Sequence, residues 1–218
     1  MMSSYLFFII PIASAIAFLS SLTIFFQSAA ERYLKYFSFF LFVNLLLDIS
    51  TGYTAYYHVN NVFLNNVASI LVISFELFLL RKIVYGKKAK NVMLGFLIAY
   101  PVISLINFFL IQTSAVFQSM TYAFGSLLIV TSCIYYFWEL FQQRSSVNLI
   151  REPAFWICAG LLFYYACTFP LFGLLNFVSN LPKIIIQNLY QIFILLNVFQ
   201  YLSFTIAFLC RLKLRISM

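Results

Sequence analysis

Three of the chain's five acidic residues, Asp48, Glu76 and Glu139, stand inside runs of apolar residues. An isolated carboxylate is costly to bury at bilayer depth, so acids in such runs tend to carry protons, bind cations or face amines. Asp48 is the sharpest of the three, because no basic residue is expected at its level. Its structural alternative is a neutral acid hydrogen-bonded to Asn44, Asn197 or Tyr201. Glu76 and Glu139 each lie about one turn inside a basic boundary, followed by Arg81 with Lys82 and by Arg144. Basic side chains that snorkel back make Glu76–Arg81 and Glu139–Arg144 candidate interfacial ion pairs that fix helix depth.

Polar residues at helical spacing extend these acids into stripes. Asn44, Asp48 and Thr51 share one face, with Tyr33 continuing it. Asn65, Ser69 and Glu76 share another, and Thr121, Gly125, Ser132 and Glu139 a third. The last apolar segment aligns Gln187, Tyr190, Gln191, Asn197, Tyr201 and Thr205. Lipid cannot satisfy these groups, so the four stripes are expected to turn inward and enclose a polar interior. The candidate ligand- or ion-binding set is Asp48, Asn44, Asn65, Glu76, Gln191, Asn197 and Tyr201. His58, the only histidine, is placed at a surface end.

The segments that carry these stripes are membrane spans. The chain has 218 residues, 64% hydrophobic and 8% charged, whereas soluble domains carry about 25% charged residues. A spanning helix needs roughly 20 mostly apolar residues. Runs between polar breaks give seven: Tyr5–Phe26, Leu34–Tyr57, Val62–Ile83, Val92–Ile111, Phe117–Phe141, Ala154–Leu175 and Ile184–Cys210. The fold class is therefore an all-α polytopic membrane protein, a single seven-helix transmembrane domain.

Charge fixes its direction. Arg32, Lys35, Arg81, Lys82, Lys87, Lys88, Lys90, Arg144, Arg151, Arg211, Lys213 and Arg215 all fall on one side of such a bundle, and Lys183 alone on the other. Basic residues stay cytoplasmic, which gives an N-out, C-in chain. Trp138 and Trp156 fit inner interfacial anchors, and Tyr53, Tyr56 and Tyr57 an outer belt. An internal echo joins Glu76-Leu77-Phe78…Arg81 to Glu139-Leu140-Phe141…Arg144, and Pro101…Asn107-Phe108 to Pro170…Asn176-Phe177. It suggests a duplicated hairpin, helices 3–4 and 5–6, with prolines that kink their helices.

Several classes drop out. A retinal protein needs a lysine within its last helix, and none follows Lys183 before the basic tail. The Glu–Arg strings resemble the motif of intramembrane prenyl-protein proteases, but the histidines of that chemistry are missing. One histidine supplies no multi-histidine metal site, and no G-x-S-x-G occurs. Small seven-helix sugar carriers have Pro-Gln turns, and this chain has no Pro-Gln. Cys133, Cys158, Cys167 and Cys210 form no C-x-x-C and read as buried small hydrophobes. No cofactor, metal or nucleic acid is expected. No cleavable signal peptide is expected, because Arg32 follows the first apolar run, and the sequence has no N-x-S/T sequon, which favours a bacterial cytoplasmic membrane.

What remains is a receptor or sensor subunit that binds an unidentified small molecule and signals through a separate protein. The basic inner face at Lys87, Lys88 and Lys90 is the expected docking surface for that partner or for anionic lipid. A proton- or cation-coupled transporter and an accessory subunit of a larger complex are the alternatives.

Overall fold

The structure, a computed structural model, describes residues 6–26, 31–111, 116–142, 148–174 and 183–210. Among these the chain is helical throughout, with no strand, and seven helices are long and apolar enough to cross a membrane. They are α1 (Leu6–Ser21), α2 (Arg32–Tyr56), α3 (Val62–Ile83), α4 (Lys87–Ile106), α5 (Ser119–Gln142), α6 (Pro153–Leu174) and α7 (Lys183–Leu209). The protein is an integral multi-pass membrane protein. Helix α1 runs on into a 3₁₀ turn, Leu22–Phe26, and α4 into a π turn, Asn107–Ile111.

Local chemistry sets the helix ends. Helix α2 ends where His58 takes φ 54°, the left-handed conformation that closes a helix C-terminus. The bonds His58 N–H to Ala55 C=O and Val59 N–H to Thr54 C=O use the last carbonyls. Helix α4 begins at Lys87, five residues before the expected Val92. Lys87, Lys88 and Lys90 therefore occupy its first turn and not a loop. Cations oppose the positive end of a helix dipole, and Glu139 of α5 offsets them. Its two carboxylate oxygens accept the N–H groups of Tyr85 and Gly86, each at 2.9 Å. A Cβ on Gly86 would lie 2.5 Å from Glu139 Oε1, so a larger residue there would push the carboxylate aside.

Six helices close into a ring in the order α1, α2, α3, α5, α6, α7, with α7 returning to α1. Helix α4 packs outside it, against α3 and α5. The two echoed hairpins thus occupy unlike places, since α6 belongs to the ring and α4 does not. Helix continues through both Pro101 and Pro170.

The inner half of the ring is filled. Phe37, Leu41, Ile73, Leu77, Ile129, Cys133, Ile157, Leu161, Phe204 and Phe208 have no exposed surface. Phe37 meets Phe204 edge-on at 4.9 Å, and Phe40 stacks on Phe75 at 4.2 Å. Such ring pairs add to area burial by about 0.5–1.5 kcal/mol each. Small residues let α6 and α7 approach closely at Gly160 of α6, where an added Cβ would sit 2.7 Å from the Ser203 Cβ of α7. The outer half of the ring is not filled in this way.

Candidate functional site

A cavity of about 620 Å³ occupies the outer half of the ring. Among the described residues, α1, α2, α3, α5, α6 and α7 all line it and α4 does not. Its lining runs from Asn61 and Val62, at the outer start of α3, down to Glu76. Fourteen residues of helix separate Val62 from Glu76, roughly 21 Å at 1.5 Å per residue. "Outer" here is the side opposite the basic residues.

The floor is a hydrogen-bond network that joins four helices. The Tyr165 hydroxyl of α6 donates to Glu76 Oε2 at 2.5 Å, and Gln200 Nε2 of α7 approaches Glu76 Oε1 at 3.4 Å. The next residue on α7, Tyr201, donates to Asp48 Oδ2 of α2 at 2.6 Å. Consecutive side chains on a helix diverge by about 100°, so Gln200 turns towards α3 and Tyr201 towards α2. One step of α7 therefore joins both acids. Glu76 is 1% exposed, which makes it the most deeply buried charged side chain described.

Above the floor the walls are aromatic. Tyr122 and Tyr164 share a hydroxyl–hydroxyl bond of 3.2 Å, and Tyr164 meets Tyr165 edge-on at 4.9 Å. Phe172 lies 4.5 Å from Tyr122 and 5.6 Å from Phe193, ring centre to ring centre. These rings stand at angles to one another and present several faces. On the opposite wall, Asn44, Thr51, Asn65 and Ser69 supply short polar side chains from α2 and α3.

Six of the seven candidate binding residues come together here: Asn44, Asp48, Asn65, Glu76, Asn197 and Tyr201. Gln191 does not; it is exposed, on a face of α7 that turns away from the lining. The expected Glu76–Arg81 ion pair gives way to the tyrosine and glutamine donors, and Arg81 Nε instead donates to Lys90 C=O at 3.1 Å. The reason is orientation, because Glu76 points into the ring while Arg81 reaches back across the 3–4 connection. Glu139 holds backbone N–H groups as described, and Arg144 lies outside the described residues, as does the side chain of Gln187. The α5 stripe does not line the cavity. Thr121 bonds Gln118, and Ser132 bonds the Leu128 carbonyl. Tyr122 is the residue α5 contributes at this level.

Sequence reasoning left out Gln200 and the tyrosines Tyr122, Tyr164 and Tyr165. Gln200 follows Asn197 by three positions, so the α7 stripe could have included it. The pair Tyr164-Tyr165 lies in α6, the one lining segment besides α1 that carries none of the four polar stripes.

No protein-family model, curated protein or solved structure matches the chain. Fold and site define its class as a seven-helix membrane protein with an acid-floored aromatic cavity.

Proposed function

We propose that this chain is a small membrane receptor or sensor subunit that takes a ligand into the cavity from the outer side. The change is passed to a separate protein at the basic inner face. One observation carries the reading: the cavity floor is a single network spanning α2, α3, α6 and α7, set directly on a close-packed inner half. A ligand that alters the partners of both Glu76 and Asp48 acts on four helices at once. Packed interiors respond to such changes by discrete shifts and not by gradual deformation. Lys87 and Lys88 are exposed and Lys90 is half-buried at the start of α4, where a partner or anionic lipid can reach them. The cellular setting we favour is a bacterial cytoplasmic membrane, supported by the lack of N-x-S/T sequons.

The test is gentle extraction of the tagged protein, with mass spectrometry of what stays bound. A stoichiometric protein with a signalling output domain is expected. Replacing Lys87, Lys88 and Lys90 together by Gln is expected to weaken its capture, while unchanged capture and signalling would remove the basic face from the account.

A transporter is the second reading, favoured by one observation: Asp48 and Glu76 line the same cavity from different helices, an arrangement suited to relaying protons or cations. Flux into proteoliposomes that disappears in Asp48→Asn would decide for it.

A further inference from the structure

The geometry points to an organic cation, an amine or quaternary ammonium carrying an apolar body, as the ligand class of the cavity. Asp48 and Glu76 meet its charge, and the rings of α5, α6 and α7 meet its body. The inference rests on reading the cavity as a ligand site, and deepens it.

The sign of the lining comes first. Both ionisable carboxyl groups of the cavity belong to Asp48 and Glu76, and no Lys, Arg or His is among the described residues that line it. Charge interactions at this depth are far stronger than in water. An anionic ligand would meet two acids and, among the described lining residues, no cation. A cation would meet two groups able to compensate it, in surroundings that otherwise make isolated carboxylates costly.

The rings supply the second, independent observation. Among the described residues, eight aromatic side chains line the cavity, including Tyr122, Tyr164, Tyr165, Phe172 and Phe193. Tyr164 and Tyr165 are near perpendicular, at 86°, as are Phe172 and Phe193. Perpendicular neighbours turn ring faces in different directions, which is how aromatic side chains surround an ammonium group. Tyr165 connects the two features, since its ring packs against Tyr164 and Tyr122 while its hydroxyl holds Glu76. The charge-compensating acid therefore stands at the edge of the ring cluster.

Orientation is the third. Tyr201 and Tyr165 each donate to one oxygen of an acid, Oδ2 of Asp48 and Oε2 of Glu76. Each hydroxyl fixes the plane of its carboxyl group before a ligand arrives, which lowers the ordering cost of binding. A volume of about 620 Å³ suits one drug-sized molecule. Asn61 and Asn65 offer hydrogen bonds to any polar tail that extends towards the outer end.

The experiment is calorimetric titration of the purified full chain, at neutral pH, with four compounds that share a benzyl or phenyl body. They are benzyltrimethylammonium, benzylamine (protonated at this pH), benzyl alcohol and benzoate. Both cations are expected to bind, with the alcohol and benzoate weaker by about tenfold or more, the scale of one charge-assisted contact. Asp48→Asn and Glu76→Gln are each expected to weaken cation binding by a similar factor and to leave benzyl alcohol unchanged. That pattern also separates site binding from uptake into the detergent micelle, which neither substitution alters. Tyr164→Leu is expected to weaken both cations while the melting transition persists. Equal binding of the alcohol or of benzoate would overturn the cation assignment and leave the cavity a ligand site. Failure of all four compounds, in protein with an intact melting transition, would overturn both.

Discussion

Glu76→Leu is expected to lower the stability of the purified protein more than any other single substitution at the cavity floor. Leucine nearly fills the space of glutamate, so the loss does not come from a void. It comes from the Tyr165 hydroxyl and the Gln200 amide, which would keep their places on α6 and α7 without an acceptor. Each stranded buried donor costs about 1–3 kcal/mol. Relief from burying a carboxyl group works in the other direction, and for whole networks that relief can win. The two effects are separable. Glu76→Gln retains an acceptor for Tyr165 and is expected to lose little. Adding Tyr165→Phe to Glu76→Leu removes one stranded donor and is expected to restore part of the stability, a coupling measurable by a double-mutant cycle on thermal unfolding. A Glu76→Leu protein as stable as the parent would mean that the network orders side chains without holding helices together.

The second large effect is expected at Gly160, on the packed side of the same network. A methyl group there would stand 2.7 Å from the Ser203 Cβ and 3.5 Å from the Gln200 carbonyl oxygen. The first distance is below any real contact of this kind, and its partner is the rigid base of a side chain, so α6 and α7 must separate. Overpacking of this sort costs about 1–3 kcal/mol. Separation also draws Gln200 and Tyr201 away from Glu76 and Asp48. Gly160→Ala is therefore expected to lower the melting temperature and ligand affinity together. Ser203→Gly removes the opposing Cβ, and the double variant is expected to recover both. Recovery of neither would mean that the α6–α7 approach does not set the floor.

The sequence disclosed the spans well because bilayer thickness and the placement of basic residues act on every residue of a segment. Val62–Ile83 was read with its observed bounds, and the α4 start was misplaced because three lysines in a first turn defy the usual helix-dipole preference. The polar face of α2 and that of α3 were legible for the same reason the site exists, since lipid leaves such groups nowhere else to go. The α5 stripe misled because serine and threonine satisfy themselves on their own helix, as Ser132 does on Leu128. The role of Glu139 as acceptor for the N–H groups of Tyr85 and Gly86 was not legible, because that turn belongs to another hairpin. The aromatic wall was invisible in a chain with 28 Phe and 15 Tyr, where only the ring order α1–α2–α3–α5–α6–α7 tells which rings face inward. That order, with α4 outside, follows from no local pattern.

The central claim, a ligand cavity entered from the outer side, is tested most directly by thiol labelling. Asn65→Cys and Ser69→Cys, both in the lining, would each be made in a background with the four native cysteines replaced, with buried Ser132→Cys as the unreactive control. A membrane-impermeant maleimide added to intact cells is expected to label both cavity positions, and the same reagent added to inside-out vesicles to label neither. Labelling only from the basic side, or from neither side, would contradict the account.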